Sequence, residues 1–525
     1  MKTDYSDSLS QSKLNELLAC KSLGCLTNHD ALELIGNIID LSEDCAHSEG
    51  IDHAFKLCDE LTERKLDDRD VALLYYFRAN AWAVKLKCKS LNRKEQWSWD
   101  QPELREELLH LRSAICCEGF SGLDEVRKCQ IYTNAANLSN KIGRFIEAVE
   151  YWNRALEINP RFGMALGNRG YGLKYYASNL YDQGHATLMM KFAHDDLRHA
   201  IGPDAFFESP NYDEVKNAMR QTADWIATHI NLKVISNIDL GMSNFGLSEA
   251  EGAYRNWCLK NTLFLSPIND LGQYSIASHD VLTLPNMVVE INEPPSLIGF
   301  YNQLKQEYVA ARYFYYEGII DTSPHFADKD VLLYDTLDYP AYSIAVERIK
   351  VAYRMAYSLF DKIAYFINAY WKLDMKERDI SIRRVWYNKK IIRDCFSNYE
   401  NWPLRGLYWL SKDILETDND LKDIIEPDAK HLNTIRNHLE HKYLQLHNPP
   451  WTAKGYTRFS FDDLAYPLAR ADLEAKALKM VKLARAGLIY LSLAVHQEER
   501  IRAQQRGNGF VAPMSQIIFP DEWKR

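Results

Sequence analysis

The chain lacks the short glycine signatures that open most nucleotide and hydrolase sites. Its 525 residues contain no G-x-x-x-x-G-K-[ST], no G-x-G-x-x-G and no G-x-S-x-G, which removes the phosphate-cradling loop, the dinucleotide fingerprint and the hydrolase elbow. No C-x-x-C occurs among the 10 cysteines. Cys116 and Cys117 are adjacent, and Cys20 and Cys25 are too far apart for a zinc knuckle. Reduced core thiols in a cytosolic, cytoplasmic protein are the expectation. Long apolar runs are missing too. Met1 to Ser12 is polar and carries both Asp and Lys, without the apolar stretch of a secretory leader, and Ala486 to Val495 is too short to span a bilayer. Neither export nor membrane insertion is expected. A basic excess is also absent: the net charge of −9 excludes a whole-surface grip on nucleic acid and leaves room only for a local basic cleft.

What is present is core material, 46% hydrophobic against 26% charged residues, in a length that calls for two or three domains. From Gln130 to Pro160, the residues Gly143, Phe145, Ala148, Trp152, Ala155 and Pro160 take small, aromatic and proline positions of a helical hairpin. Gly170 then follows Ala136 after 34 residues. The pattern resembles a tetratricopeptide (TPR) unit, whose repeat has this period. Leu74 to Trp82 reads as another first helix, so a curved solenoid of paired helices is expected up to about Ile201. From Gly202 to Leu297, Pro203, Pro210, Pro267, Pro285, Pro294 and Pro295 interrupt short apolar segments such as Met287 to Ile291, which predicts a connector of low helix content.

Helical periodicity resumes at Ile298. It covers Tyr301 to Tyr316, Tyr342 to Trp371, Lys389 to Phe396, Arg405 to Leu415, Asp428 to Leu446 and Arg470 to about Arg500. The expected fold is all-α: TPR-like repeats over 1–201, an irregular connector over 202–297, a helical bundle over 298–508 and a tail over 509–525.

The helix after Pro427 carries an apolar seam of Leu432, Ile435, Leu439, Tyr443 and Leu446, and within it the run Arg436-Asn437-His438-Leu439-Glu440-His441. Metal-free RNA cleavage needs a group that exchanges protons near neutral pH and a permanent cation on the phosphate, roles that suit His441 and Arg436. Asn437, four residues before His441, is placed to hold the imidazole. Arg, a polar residue and then His in a late helix of a C-terminal bundle resembles the HEPN superfamily of ribonuclease and nucleotide-binding domains, over roughly Ile298 to Gln505. The resemblance implies a bacterial toxin or antiviral defence ribonuclease with Arg436, Asn437 and His441 at its site, needing no cofactor and no metal. The rival readings are a HEPN module that binds RNA or nucleotide without cutting it, and a scaffold in which Arg436 merely pairs with Glu440 on the helix surface.

Several further features attach to this reading. Arg383, Arg384, Lys389 and Lys390, interleaved with Trp386 and Tyr387, are candidate RNA-binding residues, since basic and aromatic side chains together suit a single strand. A solvated charged face is the plainer account. Tyr443 completes an Arg-x-x-x-x-His-x-Tyr pattern, and the resemblance implies that such a Tyr is adenylylated by a partner nucleotidyltransferase; a core aromatic on the seam is the simpler expectation. His438, Glu440 and His441 lack the spacing and the further ligand of a zinc site. Arg436 and His441 stand roughly 140° apart around an ideal helix, so one helix clamps a phosphate awkwardly and a two-fold homodimer is expected. The TPR-like array is expected to sense or dock a protein partner.

Overall fold

The computed structural model describes every residue except 1, 90, 209–210, 242–245, 247, 291–292, 322, 335–337, 398–399, 449–463, 507–510, 513, 515–516 and 525. It is 68% helix, in 19 helices among the described residues. Helices α1 (Lys2–Leu18), α2 (Asn28–Asp44), α3 (Ser48–Thr62) and α4 (Asp68–Lys87) close a small core around Ile35, Ile38, Leu57 and Leu61. Each start is written locally: Thr27 and Asp67 accept hydrogen bonds from the first-turn amides of Asp30 and Asp70. After α5 (Arg93–Gln96) and α6 (Pro102–Cys116) come two hairpins, α7 (Glu125–Lys141) with α8 (Phe145–Ile158) and α9 (Gly163–Asn179) with α10 (Gln183–Ala200). Phe145, Ala148, Trp152 and Ala155 are all buried. Gly170 is small for a reason, because a Cβ there would stand 2.7 Å from Leu197 on the facing helix.

The stretch expected to be low in helix is only partly so. It contains α11 (Asp213–His229), α12 (Leu232–Ser236) and α13 (Glu249–Lys260), and α11 packs Met219, Ala223 and Ile226 against the α9–α10 hairpin. The prolines mark its two ends and leave the middle free of them, so a three- and four-residue apolar spacing there forms an ordinary amphipathic helix. Pro210 and Ile291 lie outside the described residues.

The C-terminal part is built from α14 (Ser296–Ile320), α15 (Ile344–Tyr370), α16 (Asp394–Ser397), α17 (Trp402–Ser411), α18 (Ala429–His441) and α19 (Arg470–Arg506). Two small ladders interrupt it. β1 (Tyr387–Asn388) and β2 (Ile391–Ile392) form an antiparallel hairpin where a helix over Lys389 to Phe396 was expected. Its turn puts Lys389 and Lys390 at φ 48° and 73°, the left-handed pair that matches the twist of a two-residue hairpin and that a helix excludes. β3 (Tyr443–His447) and β4 (Ala465–Ala469) pair in parallel, so the helix expected to reach Leu446 ends at His441. Leu444, Gln445 and Leu446 are buried in succession, as in a strand covered on both faces, and the prolines that follow Asn448 in the sequence disfavour a continued helix. The boundary drawn between bundle and tail at 508–509 lies outside the described residues. Among the described residues no helix is long and apolar enough to cross a membrane.

Helix α19 is the shaft. Every residue from Leu483 to Val495 is buried, with α14, α15 and α17 on its flanks and the N-terminal helices α8 and α9 against it. Asn401 donates to the Ala494 carbonyl at 2.9 Å, Tyr301 to the Leu488 carbonyl at 3.1 Å, and the Tyr490 hydroxyl to Glu147 in α8. One continuous apolar core therefore runs from Ala72 to Val495. Helix α17 meets the α7–α8 turn at backbone contact: Gly143 has φ 90°, and a Cβ on Gly406 would stand 2.1 Å from the Gly143 carbonyl oxygen. The Trp402 indole donates to the Asn140 carbonyl at 2.8 Å, and Arg405, with no carboxylate partner among the described residues, donates to the carbonyls of Lys141 and Ser98. Burial pushes that guanidinium down to about 10. Gly406→Ala is expected to lower stability by about 2 kcal/mol or more, since no flexible side chain can yield to the added methyl. Urea unfolding of the whole chain checks this, and an unchanged midpoint would mean that the two backbones are not in contact.

Candidate functional site

Helix α18 is laid against α15 by its two buried seam residues, Leu432 and Ile435, while the Tyr353 hydroxyl donates to the Leu432 carbonyl at 2.7 Å. Arg436, next after Ile435, sits at the edge of that seam and is half-buried. Its guanidinium lies 5.6 Å from the centre of the Tyr357 ring and donates to the Asn437 side-chain oxygen at 3.0 Å. The surface pair with Glu440 is not formed. Tyr353, Tyr357 and Asp361 follow at four-residue steps on one face of α15, so the cation faces two phenols and a carboxyl. Burial raises the Asp361 carboxyl above its ordinary value, and Arg436 opposes that rise. Glu416 is raised as well, by burial, against hydrogen bonds from the Ser381 hydroxyl and the Arg383 amide, with Asp361 and Asp420 adding to the rise.

His441 is the last residue of α18 and is exposed; it makes no hydrogen bond or ion pair with the described residues. The expected hold of Asn437 on its ring is not made; Asn437 accepts from Arg436 instead. His438, one turn earlier, donates from Nδ1 to the Thr434 carbonyl instead and packs against Tyr466 of β4, 4.9 Å between ring centres. Tyr443 is not a core aromatic: it is 37% exposed at the start of β3, 3.2 Å from the Tyr342 hydroxyl. The helix ends before it, so the seam that would have buried it does not continue.

The four basic candidates separate. Arg383 is 8% exposed and turned inward to the Ser411 carbonyl, with Asp420 and Asp423 each 3.9 Å away. Trp386 is fully buried, and the Tyr387 hydroxyl meets that of Tyr408 at 2.9 Å. Trp386 offers no stacking face, and Tyr387 is half-buried. Arg384, Lys389 and Lys390 are exposed, the two lysines at the tip of the β1–β2 turn. The fold thus brings Arg436 together with Asn437, Tyr357, Asp361 and Glu416, leaves His441 at the helix end, and takes Arg383 out of reach of a ligand. Sequence reasoning missed Tyr353, Tyr357 and Asp361. Their four-residue spacing was visible in the chain, but nothing in it paired that face with α18.

Residues 288–498 match the family model described as LA2681-like HEPN. The match includes α14 to α18, both small ladders and most of α19, and begins ten residues before the bundle start read from periodicity. It does not extend over the helices before residue 288. No curated protein and no solved structure matched the chain.

The opposition between burial and Arg436 at Asp361 has a measurable sign. A carboxyl raised in the fold stabilises fully below its unfolded value of roughly 3.9, and that contribution is lost as pH rises through the folded value. Removing Arg436 raises Asp361 further and extends the window upward. Asp361→Asn is therefore expected to raise the neutral-pH melting temperature more in an Arg436→Ala background than in the wild type. Equal effects in the two backgrounds would show that the groups do not interact.

Proposed function

We propose that the domain matched as LA2681-like HEPN is a metal-independent endoribonuclease, a toxin or antiviral defence effector, working through Arg436 and His441. The superfamily is generally associated with ribonuclease activity. The observation that carries the reading is that the matched segment contains the Arg-to-His motif with Arg436 held and His441 left open to solvent. In the reaction a 2′-hydroxyl attacks the neighbouring phosphorus, its proton passes to a His441 imidazole, and the 5′-oxygen leaves with a proton. The products are a 2′,3′-cyclic phosphate and a 5′-hydroxyl. Arg436 neutralises charge on the phosphoryl oxygens, with Asn437 fixing the guanidinium plane.

Arg436 faces its own bundle and His441 faces out, so a second copy of the chain is the source of a complete site. A two-fold dimer supplies one imidazole to take the proton and another to give it. Tyr339, Tyr342 and Tyr443, between 37% and 54% exposed on or beside β3, offer apolar area for that contact. The exposure of Tyr443 also suits the regulatory modification that its place in the motif implies. The helices before residue 201 act as a TPR-like docking array for a protein partner, and Arg384, Lys389 and Lys390 guide the RNA.

Growth arrest and RNA cleavage on expression are expected to vanish in both Arg436→Ala and His441→Ala, while melting temperature stays within a few degrees of wild type for the exposed His441 variant. Cleavage is expected to survive EDTA and to leave cyclic phosphate ends. Mixing the two variants is expected to restore part of the activity through one mixed site. Binding of RNA without cleavage by the wild type would establish the non-catalytic module instead, and cleavage that depends on a divalent ion would replace this chemistry with a metal-bound water.

A further inference from the structure

A cavity of about 490 Å³ lies between the array and the matched domain. Arg112 from α6, Arg144 at the start of α8 and Arg485 from α19 contribute to its walls. All three are essentially buried and held by acidic groups: Arg112 and Arg144 each reach Asp413 at 2.6 Å, and Arg485 reaches Asp270 at 2.7 Å. The Arg112 Nε also lacks a hydrogen-bond partner among the described residues although it is buried.

The remaining basic side chains are arranged differently. Arg154 and Lys482 both converge on one carboxylate, Glu150, at 2.7 and 3.1 Å. Lys479 reaches Glu426 at 2.7 Å, and Glu426 also faces Arg112 at 3.8 Å. Lys260 is exposed and makes no ion pair with the described residues. Glu147 and Glu157 line the cavity too, so its walls carry seven cations against six carboxylates, a local excess of one positive charge in a chain whose net charge is −9; Arg154 and Lys482 share Glu150, and Lys260 has no carboxylate partner among the described residues. Burial would raise Glu150, but Lys482 and Arg154 together hold it down at about 2, so it is an acceptor for both cations throughout the neutral range. Between the charges run Ile115, Ile146, Val149, Leu478 and Leu483, an apolar wall beside Tyr151.

Guanidinium and ammonium groups gathered on an apolar wall recognise phosphate oxygens and the flat or aliphatic body that carries them. The volume lies within the roughly 300–1,000 Å³ of small-molecule sites, and such sites favour the junction between domains. We propose that this cavity binds a phosphate-bearing small molecule of nucleotide size, with Arg154, Lys260, Lys479 and Lys482 on the phosphates and Glu150 as the carboxylate it displaces. The site is independent of the ribonuclease reading; only its effect on cleavage would rest on that reading. The geometry for such an effect exists. Asp413, gripped by Arg112 and Arg144, stands two residues before Leu415, whose carbonyl accepts the Tyr357 hydroxyl at 3.1 Å beneath Arg436.

Calorimetric titration of the full chain at low salt, with inorganic pyrophosphate and with ATP, tests the assignment. Binding is expected for both probes, with ATP the tighter where the apolar wall takes the nucleoside; equal affinities would confine the contact to phosphate and still support the site. Lys482→Gln, which leaves Glu150 paired with Arg154, is expected to weaken binding at least about tenfold. Glu150→Gln removes the competing carboxylate and is expected to tighten it, a gain that a purely structural network would not give. Melting curves of both variants report whether they fold. No heat from either probe at about 1 mM overturns the proposal, as does binding that neither substitution changes in folded protein.

Discussion

A helix whose central turns are buried on every side must be surrounded on every side, its apolar residues by apolar ones and Arg485 by Asp270, and α19 imposes that demand on the whole molecule. Its 37 residues include a central stretch, Leu483 to Val495, with no exposed face. The bundle helices α14, α15 and α17 cover part of it, Phe145, Ile146 and Glu147 at the start of α8 cover another part, and Phe264, Ser266, Asp270 and Thr283 of the connecting stretch meet Arg485 and Ser492. The N-terminal helices are consequently not a separate module tethered by a linker. They help to bury the C-terminal shaft, and the shared core from Ala72 to Val495 is the result.

Charge is buried in the same junction, and it links the two halves more specifically than apolar contact does. Asp413 takes Arg112 from one side and Arg144 from the other. Burial alone would raise its carboxyl, yet the two cations hold it below the ordinary range. Such a group costs little while its partners stay and about 3–5 kcal/mol when one is removed, because the remaining charge is left without solvent. The segment from Lys412 to Glu426 is fastened along its length in this way: Lys412 to Asp100, Asp413 to the two arginines, Asp423 to Arg105, and the Ile425 carbonyl to Arg112. Its other side carries Leu415 and Glu416 to the surroundings of Tyr357 and Arg436. The position of the array and the environment of the motif cation are set by one short strap.

The candidate site has two unlike ends for a local reason. Arg436 follows the buried Ile435 and is drawn inward over Tyr357, whereas His441 closes the helix where the chain turns into β3. Asn437, by accepting from Arg436, orients the cation and leaves the imbalance between the ends in place. The basic stretch before it divides on the same principle. Arg383 and Trp386 are drawn into the core between α17 and the strap, and the two lysines are left at a turn whose backbone only a hairpin accepts.

The helical class, the long helices α14, α15 and α19, and the α7–α8 hairpin were legible in the chain because apolar spacing of three and four residues is a property of the sequence itself. So was the pair Arg436 and His441, since residue type and spacing are all that such a motif contains. The end of α18 was not. Leu439, Tyr443 and Leu446 continue a helical period, while Leu444 and Leu446 satisfy a strand's, and pairing with Ala465–Ala469 decided between them. The helix hidden at Asp213–His229 was obscured by flanking prolines that act only on their own neighbours. Tyr357, Asp361 and Glu416 around Arg436, and Arg112 and Arg144 around Asp413, come from segments far apart in the chain. Local periodicity states which face of a helix is buried but not against what, so the motif belonged to the sequence, and the company it keeps was decided only when the helices packed.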